Sequence, residues 1–176
     1  MTLDRLNQMN ALRPSIRYAV LAGLIAIVIN TALLQLADFI PLQTAHGGLL
    51  KLLQLLVGDI VRDSGLTNIW LSAGLPAVDT AIFKLGFHVL IGLIMAVIYA
   101  VILEPFLNGS AVKKGLLYAL LLWLLNAVVI LPYLGEGFAG SHQLTLAGML
   151  YFAVAHTVFF VALSLIYARL TSVSIH

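Results

Sequence analysis

The chain has no cysteine, and only 9% of its 176 residues are charged. Missing cysteine removes disulfides, thiolate nucleophiles and Cys-ligated zinc or iron–sulfur from consideration. Any metal would have to be held by His, carboxylate, Tyr or Met. An ordinary soluble domain is about one quarter charged, so a chain this poor in charge and 62% hydrophobic cannot cover its own surface in water. Lipid must be its solvent. The formal net charge of +2 is too small to draw in nucleic acid, and none is expected as a partner.

What is present is a set of long apolar runs. About 20 apolar residues are needed to cross the hydrocarbon core, and four stretches qualify: residues 16–39, 79–103, 113–131 and 144–170. The first follows Arg5, Arg13 and Arg17. It is too long for the apolar region of a signal peptide and is read as a retained helix closed by Pro41. Asp79 is the expected N-cap of the second and Glu104-Pro105 its stop, while Pro132 falls near the end of the third. Between the first two spans, Leu49, Leu52, Leu53, Leu56 and Val57 recur at helical spacing, with Lys51, Asp59, Arg62 and Asp63 off that face or at its end. This predicts a short amphipathic helix at the membrane interface, with Trp70 at headgroup level. Arg5, Arg13, Arg17, Lys113, Lys114 and Arg169 fall on one side of the membrane. Lys51, Arg62 and Lys84, diluted by Asp59, Asp63 and Asp79, fall on the other. The positive-inside rule then predicts a multi-pass membrane protein with both termini cytoplasmic.

One pattern occurs twice. His88 is followed after eleven positions by Tyr99 within Ile98-Tyr99-Ala100, and His156 after eleven by Tyr167 within Ile166-Tyr167-Ala168. Eleven residues make about three helical turns, so each His shares a stripe with its Tyr. Arg17 precedes Asn30, and Lys113 precedes Asn126, by thirteen positions each. The expected fold is all-α: an integral membrane four-helix bundle occupying residues 1–176 as a single domain. It comprises two helical hairpins in a parallel pseudo-repeat plus one interfacial amphipathic helix. At about 1.5 Å rise per residue, Asn30, Asn126 and His156 each lie roughly 20 Å from a basic residue at the helix end, and His88 about 24 Å from Glu104. The four should form one inward-facing polar layer, with Tyr99 and Tyr167 nearer the cytoplasmic side.

Several roles compete for that layer. The first is packing, with Asn and His hydrogen-bonding across helices in a structural or assembly module. The lipid bilayer, and a second copy or another membrane protein, would then be its partners. The second is ligation of haem b by His88 and His156, two histidines from alternate parallel helices, with Gly92, Ala153 and Ala155 leaving room. Proton or small-solute permeation ranks below these, since no span holds an internal carboxylate or a helix break. Hydrolysis ranks lower still, because the serines near the two histidines have no carboxylate partner. Glu136 and His142 could together offer a cation two ligands at the outer mouth, fewer than a stable site needs.

From Gly86 onward the chain resembles a family of small prokaryotic inner-membrane proteins and, more distantly, the YagU-like membrane proteins. The residues that carry this are His88, Ile91-Gly92, Ile98-Tyr99-Ala100, Gly115-Leu116-Leu117-Tyr118, Trp123, Pro132, Gly135, Gly137, His156 and Ile166-Tyr167-Ala168. The resemblance implies four membrane helices and no particular activity. Where such proteins often carry glycine after the second histidine, this chain has Val158, Phe159 and Phe160.

Overall fold

The computed structural model describes residues 3–40, 42–44 and 47–173, with side chains from residue 16 to 172. Pro41 and the side chains of Arg5 and Arg13 lie outside the described residues. Among the described residues all regular structure is helical. Helix α1 runs Leu3–Phe39, α2 Gly48–Asp63 and α3 Leu66–Ser72. Helix α4 comprises Ala81–Ile98, a π-helical turn Tyr99–Leu103 and a last turn Glu104–Phe106. Helix α5 repeats that construction with Ala111–Leu125, a π turn Asn126–Ile130 and Leu131–Tyr133. Helix α6 is Leu146–Val173. Four segments are long and apolar enough to cross a membrane: Ile16–Phe39, Ala81–Phe106, Ala111–Tyr133 and Leu146–Ser172. The fold is that of a multi-pass membrane protein.

Two expected boundaries move. Thr80, not Asp79, caps α4. Its Oγ1 accepts from the Phe83 N–H at 3.3 Å and donates to the Ala77 carbonyl at 2.6 Å, which fixes the extended conformation that an N-cap requires. Pro105 does not stop its helix, and Pro132 lies near the end of α5, which runs to Tyr133. A proline in an α-helix clashes with the carbonyl four residues back and supplies no N–H. Here a wider π turn precedes each proline and takes up the misfit, and the helix runs on for one more turn. The spans are therefore not unbroken, as the sequence had suggested.

In lipid, helices gain little from hiding apolar surface from one another, so close approach and interhelical hydrogen bonds hold them together. Helix α1 packs along both α6 and α4, and α5 packs along α6. Small residues set these seams. A Cβ on Gly92 would meet Ile27 Cδ1 at 2.6 Å, and one on Gly23 would meet Ala96 Cβ at 2.7 Å. A Cβ on Gly115 would run into Ser164 Oγ and lie 2.8 Å from the Phe160 carbonyl oxygen and from Val161 Cα. Helices α4 and α5 are joined differently, by large side chains: Tyr118 O–H donates to the Met95 carbonyl at 3.2 Å, and Tyr99 stacks on Tyr118 with centroids 6.0 Å apart. The core centres on Tyr99, Tyr118, Phe159, Phe160, Leu163 and Tyr167, with alanines of α1 opposite. The end bearing Arg17, Lys113, Lys114 and Arg169 is called the basic end below, and the other the loop end.

At the loop end, Gln43 sits with its carbonyl oxygen against Gly148 in the first turn of α6, an approach no larger residue at 148 would permit. The start of α2 lies against α5: a Cβ on Gly48 would be 3.5 Å from Leu131 Cδ2 and 3.9 Å from Asn126 Oδ1. Lys51 Nζ pairs with Glu136 Oε1 at 2.6 Å. Beyond that turn α2 leaves the bundle. The chain returns through α3, where Trp70 meets Phe83 of α4 edge-on at 5.9 Å and donates its Nε1–H to the Pro76 carbonyl at 2.8 Å. The α2–α3 pair thus ties the loop end of α5 to that of α4.

Candidate functional site

Three of the four expected layer residues come together. Asn30 is buried and donates Nδ2–H to the Ala155 carbonyl at 2.9 Å, bridging α1 to α6 one residue before His156. The Ile27–Gly92 contact puts His88, one turn farther along α4, at the level of Asn30. His88 also lies within electrostatic reach of His156. His156 Nδ1 is 2.9 Å from the Phe152 carbonyl oxygen. A carbonyl only accepts, so that nitrogen carries the proton and Nε2 is the ring's free position. Nε2 of His88 is buried and has no hydrogen-bond partner, alone among the described buried side-chain nitrogens and oxygens.

Asn126 stands apart from the other three. It opens the π turn of α5 and lies beside Phe152, about one turn toward the loop end from His156. Asn126, Trp123, Met149 and Phe152 line the best-formed cavity among the described residues, which has room for about one water. The Phe152 ring packs on the His156 imidazole with centroids 4.1 Å apart.

The tyrosines form a second centre nearer the basic end. Tyr99 and Tyr167, the last residues of the two sequence copies, touch edge to face at 5.8 Å. Sequence reasoning missed what lies below them. Tyr99 O–H donates to Glu104 Oε2 at 2.5 Å, and Lys114 Nζ reaches Glu104 Oε1 at 2.6 Å. The π turn makes this possible, because its i to i+5 repeat sets residue 104 over residue 99. Glu104-Pro105 had been read only as a stop, and the one available signal was Lys114 on the facing span.

At the loop end, the Glu136 carboxylate is taken by Lys51, and His142 Nδ1 is 3.0 Å from the Gly135 carbonyl. The expected pair of cation ligands is thus engaged within the protein. No group of three His, Asp or Glu suited to a metal occurs among the described residues.

These two centres can hold helices in register, and each could pass a proton locally. Their donor chemistry would also suit a haem. His156 is oriented by a backbone carbonyl through Nδ1, as metal-binding histidines commonly are, and His88 offers a bare Nε2. The cavity beside Asn126 is not a haem pocket, since neither histidine lines it. Compared with protein-family models, curated proteins and solved structures, the chain matches none.

Proposed function

We propose that this chain is a structural module of a membrane assembly: a rigid bundle that holds the α2–α3 pair at one membrane face, with a second copy or another membrane protein as partner. The observation that carries this reading is a contrast. The bundle interior is filled by side chains meeting one another, whereas eleven large apolar residues between Leu53 and Leu75 are exposed. A working surface outside the bundle fits that contrast better than a path or pocket within it.

The excess of Lys and Arg at the basic end supports an inner-membrane protein with both termini cytoplasmic, α2 lying as an interfacial amphipathic helix on the opposite face. A reporter fused at Asn108 should then stay on the cytoplasmic side. The Tyr99–Tyr167 contact between like positions supports a parallel pseudo-repeat of two hairpins.

The module reading is tested by excision. With residues 52–75 replaced by a short Gly/Ser linker, the bundle should insert and unfold close to the wild-type midpoint, while its assembly on a native gel becomes smaller. Collapse of the bundle would make α2–α3 part of the core and overturn the reading. Haem b is the second reading, favoured by the free Nε2 of His88 and unsupported by any cavity that both histidines line. Protein purified from haem-supplemented cells should show no Soret band. A Soret band lost in both His88→Ala and His156→Ala would replace the module reading with a cytochrome.

A further inference from the structure

The α2–α3 pair has one side that its own chain does not cover. Leu53, Leu56 and Ile60 of α2 are exposed, Ile60 at 67%, and so are Leu66 and Ile69 of α3, Ile69 at 64%. Soluble surfaces rarely leave contiguous apolar patches of more than a few hundred Å² bare, so something covers this one.

Its position says what. Gly48 begins α2 against Asn126 and Leu131, which lie short of the end of the span at Tyr133. At about 1.5 Å per residue, the start of α2 is up to roughly 10 Å below the end of α5. The pair therefore begins inside the band that lipid already covers, and its apolar side continues the lipid-facing surface of the spans. At its far end Trp70 has its N–H bonded to Pro76 and its ring against Phe83, and is still partly exposed.

The charges narrow the choice of lipid. Between Gly48 and Leu75 the chain has two cations and two acids. Lys51 is taken by Glu136, and Arg62 contacts Asp59 and lies 3.7 Å from Asp63. Each cation of the stretch already has an acidic partner, whereas surface helices that select anionic lipid carry free Lys and Arg on the polar face.

We propose that the apolar side of α2–α3 is seated at the acyl–headgroup boundary of the loop-end leaflet, and that it takes phospholipid without regard to headgroup charge. This rests on the reading of the pair as the module's outward surface and names what lies beneath it.

The test uses the only two tryptophans in the chain. Trp123→Phe leaves Trp70 as sole reporter. The full-length variant is placed at one copy per nanodisc, in phosphatidylcholine or in a mixture with phosphatidylglycerol, with lipids brominated near the top of the acyl chain. Trp70 emission should fall at least about twofold in both lipids and at high salt, as expected for an indole at the interface, with little quenching by aqueous iodide. In Leu56→Glu/Ile60→Glu the bromolipid effect should fall and iodide quenching rise. Iodide quenching without bromolipid quenching in the parent would overturn the seating. Quenching confined to the anionic mixture, or abolished by salt, would overturn the indifference to charge. Bromolipid quenching that is lost when several copies share a bilayer would assign the face to a second copy. The excision experiment reads bundle integrity and assembly, so either proposal can fail without the other.

Discussion

Replacing Gly115 with alanine should destabilise the protein by about 3 kcal/mol, the upper end of the range for overpacking. The new Cβ would meet Ser164 Oγ and, at 2.8 Å, main-chain atoms of Phe160 and Val161. A side chain can swing aside, but a helix backbone moves only by parting α5 from α6. Gly92→Ala is the instructive comparison. Its Cβ would meet Ile27, closest at the Cδ1 end, and rotation of that side chain should hold the loss to about 1–2 kcal/mol. Gly86, with no atom within 4 Å of the added carbon, should gain up to about 1 kcal/mol from the better helix propensity of alanine. Unfolding midpoints in mild detergent should follow that order. Equal effects at all three positions would show that the α5–α6 seam is looser than described.

The second large effect is expected at Glu104. Glu104→Leu strands the Lys114 ammonium and the Tyr99 hydroxyl, both less than a third exposed, and should cost about 2–4 kcal/mol, as breaking a sheltered ion pair does. Lys114→Met should cost less, because the carboxylate keeps its bond from Tyr99. The double variant should lose less than the sum of the two, by about 1–3 kcal/mol of coupling. Strict additivity would mean that Lys114 turns to the headgroups and leaves Glu104 to Tyr99 alone. A gain in the double variant over wild type would mean that the pair confers register rather than stability.

The four spans were legible because lipid imposes one rule on every residue of a crossing helix, and a run of apolar letters states it fully. A helix between the first two spans was legible for a similar reason, because its apolar period is local. Asn30 was legible in kind, since a lone amide in an apolar helix needs a partner, but that partner is the carbonyl of Ala155, which no side-chain pattern announces. Asn126 has the same spacing from its basic residue, yet it lies a turn nearer the loop end, where the π turn of α5 begins. The link from Tyr99 to Glu104 was hidden for that reason too. A fixed repeat of 3.6 residues per turn assigns 99 and 104 to different sides of a helix, and only the wider turn reunites them.

That wider turn makes the length of an apolar stretch as consequential as its composition. A π turn is an α-helix with one residue too many, held in place by what surrounds it. Adding a further residue to Tyr99–Leu103 would leave the segment as hydrophobic as before and exceed what one wide turn can take up. It would also swing everything beyond it by about 100°, carrying the carboxylate of residue 104 away from the tyrosine. The polar loop around Asn108 can absorb an insertion or a deletion without such a rotation. In this protein, therefore, some of the strictest demands on residue number fall where the sequence looks most interchangeable.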